Sequence, residues 1–131
     1  MANQDAIQPR REVISRALDF PFSSAIAYGD LVFVSGTIGR HPQTAEIARG
    51  DIAAQTQQTL ENIRHHLELA GTGLDKVLKV TVFIVDMDLF HTMNQAYRGF
   101  FPADPPARSC VEVASLPDKD ALVEIEVIAG R

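Results

Sequence analysis

With 131 residues, 46% of them hydrophobic and 22% charged, the chain can hold one globular domain that buries roughly two-thirds of its unfolded surface without staples. A formal net charge of −5, with Arg10-Arg11 the single adjacent basic pair, excludes the basic stripe by which nucleic-acid binders displace counterions. Cys110 is the one cysteine, which excludes an intrachain disulfide and suits a reducing compartment.

No apolar core follows the charged residues Asp5, Arg10, Arg11 and Glu12, so no signal peptide is expected. No apolar run approaches the ~20 residues of a membrane span either, and cytoplasm is the expected location. The whole of 1–131 reads as one domain, an arm over 1–20 followed by a core over 21–130. The arm is polar and weakly patterned. Ser24 to Tyr28 and Asp30 to Gly36 read as a hairpin around a tight Gly29-Asp30 turn, the second strand being buried. Gly39 to Gly50 has the composition of a loop.

Asp51 to Ala70 is the clearest helix. Ile52, Thr56, Leu60, Ile63 and Leu67 recur at three- and four-residue steps, with Asp51 as its N-cap and Gly71 at its end. Val77 to Val85 is β-branched and almost continuously apolar, as in a central strand covered on both faces. Asp88 then reads as the N-cap of a second helix with Leu89, Met93, Tyr97 and Phe100 on its inner stripe, stopped by Pro102. Two strands complete the chain, Ala107 to Val113 and Leu122 to Ala129. The predicted order is β-β-α-β-α-β-β, an α+β or mixed α/β layer with both helices on one face of one sheet. The other face needs cover, which predicts self-association; pattern alone leaves dimer and trimer open.

The chemistry-bearing residues gather on the last two strands. Alternation puts Arg108, Cys110 and Glu112 on one face, and Glu124 with Glu126 on one face of the final strand. An antiparallel hairpin turning near Pro117 would set Cys110 opposite Glu124, with Arg108 in diagonal reach of both glutamates. A cross-strand Arg–Glu pair is more often a solvated salt bridge worth under about 1 kcal/mol. Pro105-Pro106 favours a site, because two locked φ angles would hold the guanidinium at a fixed point for a carboxylate.

Other constellations are weaker. Adjacent His65 and His66 point to different sides of their helix, and His41 and His91 lie in unrelated segments, so no metal site is expected. Asp86 and Asp88 suit capping better than cation binding. Cys110 reads first as a small buried hydrophobe. Val34-Ser35-Gly36 is not a nucleophile elbow, and no glycine-rich phosphate loop is present.

The stretch PPARSCVEVASLPDKDALVEIEVIAG, Pro105 to Gly130, strongly resembles the C-terminal signature of the reactive intermediate imine deaminases, the RidA/YjgF family. GDLVFVSGTIG (Gly29 to Gly39), DIAAQTQQTLENIRHHLELAG (Asp51 to Gly71) and KVTVFIVDMDLFHTMNQAYRGFF extend the resemblance over roughly 21–130. It implies a chorismate-mutase-like fold and a homotrimer with sites between subunits. The implied reaction is cofactor-free and metal-free hydrolysis of 2-iminobutanoate or 2-iminopropanoate to the 2-oxo acid and ammonia. By the same resemblance, Arg108 binds the substrate carboxylate and Glu124 orients the attacking water. Cys110, Ser35, Gly36, Asn94 and Phe22 would line the site. Phe22 stands where the family often has tyrosine, and Thr37 where it commonly has glutamine; both bear on which substrate is taken. Aminoacrylate or 2-aminomuconate deamination is one alternative, and a non-catalytic 2-oxo-acid-binding or holdase trimer another. A ribonuclease reading also attaches to the family, against which stand the acidity and the lack of a His or Lys constellation.

Overall fold

The computed structural model describes residues 8–131, so the first seven residues of the expected arm lie outside it. Six strands form a single sheet in the order β1-β2-β3-β6-β4-β5. They are β1 (Arg11–Arg16), β2 (Ser23–Tyr28), β3 (Leu31–Thr37), β4 (Val77–Ile84), β5 (Ala107–Glu112) and β6 (Val123–Gly130); helix α1 (Ile52–Leu69) follows β3 and α2 (Phe90–Arg98) follows β4. The expected fold class holds, with one strand more than the pattern showed. The arm supplies it: Arg11–Arg16 pairs antiparallel with β2 through two register shifts around Ser15. Such irregular edge pairing leaves no clean alternation to read in the sequence.

The stripe of α1 is buried as expected, and Asp51 caps it by accepting from the amides of Ala53 and Ala54. Two polar residues join the buried face. Gln55 donates to the Asp120 carbonyl and accepts from the Leu122 amide, which ties the helix to the approach of β6. The second helix starts later than expected. Asp86, not Asp88, is the capping residue; its carboxylate accepts from the Asp88 amide and opens a short 3-10 turn over Met87–Leu89. Met93 and Tyr97 then bury the inner stripe, with Leu89 and Phe100 packed at its margins.

The expected β5–β6 hairpin does not form. Strand β5 pairs parallel with β4, and β6 runs antiparallel between β3 and β4. The parallel pair needs a crossover, and α2 provides it. Nor is β4 covered on both faces within the chain: Val80, Val82 and Ile84 are fully buried under the helices, while Lys79, Thr81 and Phe83 on the other face are half-buried. Strand β3 alternates likewise, with Val32 and Val34 inward and Leu31 and Phe33 exposed. Both helices therefore lie on one face. Among the described residues no helix is long and apolar enough to cross a membrane.

Candidate active site

Register decides which candidate residues meet. Val80 pairs with Arg108 and Val82 with Cys110, whereas Phe83 pairs with Glu124 and Thr81 with Glu126. Val80 and Phe83 are three residues apart on one strand, so they face opposite ways. Arg108 and Cys110 thus belong to the helical face, and Glu124 and Glu126 to the open one. The patch expected from a hairpin is absent because β4 separates the two strands.

On the open face, β3 carries an irregularity. Val34 pairs with Val127 and Thr37 with Ile125, so Ser35 and Gly36 together stand opposite one residue of β6. The hydroxyl of Ser35 donates to the Ser23 carbonyl at 2.6 Å and Thr37 donates to the Ser35 carbonyl at 2.8 Å, which pins the bulge. Glycine at 36 permits a close approach: a Cβ there would lie 2.6 Å from Glu124 Oε2 and 2.9 Å from its Cδ, and the carboxylate would have to move. The Glu124 carboxylate thus rests directly on the backbone. Burial, and secondarily the charge of Glu126, raises its pKa above the ordinary 4.5.

A cavity of about 450 Å³ opens beside it, walled by Phe20, Phe22, Gly36, Ile38, Arg40 and Glu124. The single guanidinium in this wall is already engaged: Arg40 pairs with Asp118 and donates to the Ala45 carbonyl at 2.8 Å. That ion pair also ties the loop after β3 to the loop before β6. Phe20 and Phe22 stack with ring centroids 5.6 Å apart and planes at 23°.

On the helical face, Arg108 extends from edge strand β5 over two rings of α2. Its guanidinium carbon lies 4.6 Å from the Tyr97 centroid and 5.7 Å from that of Phe90. Such contacts are worth about 0.5–2 kcal/mol and orient the cation without neutralising it. Among the described residues Arg108 has no carboxylate partner. Burial pushes the Tyr97 phenol above its ordinary 10.0, opposed by the charge and the nearby N–H donors of Arg108. Asn94 lies four residues after Phe90 and three before Tyr97, on the same side of α2, and is half-buried. Burial also raises the Cys110 thiol above 9.0 despite Arg108. It is therefore a protonated, weakly nucleophilic group.

The sequence-predicted residues thus fall into two clusters, Arg108, Cys110 and Asn94 against Glu124, Gly36, Ser35 and Phe22. Phe20, Arg40 and Tyr97 join these clusters from outside the sequence-predicted set of site residues. The Phe20-Pro21-Phe22 spacing was a readable signal for the first, while Arg40 and Tyr97 gain their roles only through tertiary contacts. Among the described residues no three His, Cys, Asp or Glu side chains converge as metal ligands.

The family model for endoribonuclease L-PSP matches residues 15–130, nearly the whole chain. The chain belongs to this family. A RutC family protein of Pyrococcus horikoshii is 50% identical over 111 residues, covering 85% of this chain and 87% of that relative. A protein of Escherichia coli named 2-iminobutanoate/2-iminopropanoate deaminase is 43% identical over 114 residues, with 85% and 88% covered. A crystal structure of a conserved Rid family protein from Yersinia pestis superposes with a TM-score of 0.88 at 40% identity, covering 93% of this chain and all of that one. The resemblance to the RidA/YjgF group read from Pro105 to Gly130 is thereby established at the level of the family.

Proposed function

We propose that the chain is a hydrolytic deaminase of reactive 2-imino and enamino acids, acting as a homotrimer whose sites are shared between subunits. The observation that carries this reading is the division of the site. A half-buried carboxylate lines a cavity whose only guanidinium is spent on Asp118, while an oriented, unneutralised guanidinium stands on the opposite face of the sheet. An anionic substrate held beside Glu124 needs a cation from outside that cavity. Arg108 of a second copy supplies it once the open faces pack together, as a closed ring of identical heterologous contacts allows.

The chemistry follows from these two groups. A protonated imine, RC(=NH₂⁺)COO⁻, adds water at its electrophilic carbon, and the carbinolamine expels ammonia to leave RCOCOO⁻ and NH₄⁺. Arg108 takes the carboxylate by paired N–H donors. Glu124 accepts a proton from the attacking water, its raised pKa making it a stronger base than a solvated carboxylate, and returns that proton to the departing amine. Cys110, a neutral thiol, packs at the margin and takes no covalent part.

The ribonuclease in the family's description finds less support here. Net charge is −5, a balance that repels a phosphate backbone.

The test is complementation. Arg108→Ala and Glu124→Gln should each cut accelerated imine hydrolysis by about 10²-fold or more, read as ammonia release beside an upstream imine-forming enzyme. Co-expressed, they should regain activity, since about a quarter of the sites in random trimers would join an intact Arg108 to an intact Glu124. Wild-type protein that binds 2-oxo acids but never hastens imine decay would overturn the enzyme reading in favour of a binding trimer.

A further inference from the structure

The Phe20–Phe22 pair asks for an explanation that the reaction alone does not provide. Phe20 is 62% exposed and Phe22 51% exposed, and neither belongs to the hydrophobic core. Large apolar groups left in water beside a functional carboxylate mark a binding surface. These two rings stack on each other, which fixes their planes, and they line the same 450 Å³ cavity as Glu124, with Ile38 and Pro117 adding apolar surface. The polar groups of that cavity are already committed: Arg40 to Asp118, and the Ser35 hydroxyl to the Ser23 carbonyl. Apart from Glu124, which the reaction uses, no uncommitted charged side chain lines it among the described residues.

The parts of the substrate then sort by chemistry. Its carboxylate goes to a guanidinium, its reacting carbon to the water on Glu124, and its side chain to the wall that is left. A methyl or ethyl group would cover little of Phe20 and Phe22 and would leave water against both rings. An aromatic or branched group would stack on Phe20 and Phe22 and displace that water. Resting on the deaminase reading above, we propose that Phe20 and Phe22 select the substrate side chain, and that the preferred substrate is a 2-imino acid bearing an aromatic or long branched group.

The measurement is a ratio of kcat/KM values. Imines are generated in place by an amino acid oxidase from phenylalanine, leucine and alanine, and their decay is followed by ammonia release. The expected result is a higher kcat/KM for the phenylalanine and leucine imines than for the alanine imine. In Phe20→Ala that ratio should fall by about tenfold, and in Phe20→Leu by less, in line with the worth of an aromatic contact. Both replacements sit at an exposed position, so folding is not at stake, and sedimentation of each variant reports its assembly. A wild-type preference for the alanine imine, or a ratio unmoved by Phe20→Ala while assembly alone changes, would overturn the proposal and leave the deaminase reading intact. Failure of the wild type to hasten any imine would bring down both.

Discussion

On the helical face of the sheet, Val80, Val82, Val123 and Ile125 are completely buried beneath α1 and α2, whereas on the other face Leu31, Phe33 and Val111 stay about two-fifths exposed. Both faces are made from the same strands, alternate residues supplying each. The covered face has finished its packing within one chain and spends its side chains on stability. The open face holds apolar residues that one chain leaves in water, and it holds Glu124. Under the proposed trimer, assembly and chemistry would share that surface, and Arg108, on the margin of the covered face, is what a neighbouring copy would bring to it.

That contrast can be tested by substitutions on either side. The largest effect is expected from Glu124→Gln, which should lower the rate by about 10²–10⁴ while thermal unfolding stays near that of wild type. Because burial raises the Glu124 pKa, the wild-type rate should fall on the acid side through a limb lying above 4.5, and the variant should lose that limb. On the covered face, Leu60→Ala should cost about 2–5 kcal/mol in denaturant unfolding, as for any fully buried leucine, without altering the pH profile. Gly36→Ala stands between the two. Its Cβ would press on the Glu124 carboxylate, and activity should drop more than stability does. Phe33→Glu should leave the single-chain core intact yet shift sedimentation toward monomer, with activity lost in proportion; an unchanged trimer would break the link between the open face and assembly.

The smallest effect concerns the arm. Ser15 Oγ meets His66 Nδ1 at 2.9 Å, which joins β1 to α1, and burial, then the charge of His65, holds the His66 pKa below 6.5. The unfolded chain binds that proton first, so stability should decline as pH falls through about 6.5. His66→Gln should flatten the slope of Tm between pH 7.5 and 5.5.

How much of this was legible follows from the range of the forces involved. Helix α1 could be read outright, because its stripe, the Asp51 cap and Gly71 all lie within a few residues of what they act on. Misplacing the cap of α2 at Asp88 was a small error of the same local kind, since Asp86 offers the same carboxylate two residues earlier and a 3-10 turn absorbs the difference. The hairpin between β5 and β6 was a larger one. Hydrophobic alternation says that a segment is a strand but not which strand lies beside it, and a short turn-rich connection favours the nearest partner. Here the parallel β4–α2–β5 crossover sent β6 to the far side of β4.

Local chemistry in the sequence therefore determined the elements, the two-layer class and, through the Pro105–Gly130 signature, the family and the candidates Arg108 and Glu124. Only the tertiary structure decided that these two residues stand on opposite faces, that Arg40 is already neutralised, and that Phe20 joins Phe22 at the wall of the cavity. Strand order is settled by which long-range pairing buries the most apolar surface over the whole sheet, and no window of neighbouring residues contains that comparison. What remains of the Arg108–Glu124 pair expected from the sequence is its chemistry. Its geometry would be restored by a second copy of the chain in the proposed trimer.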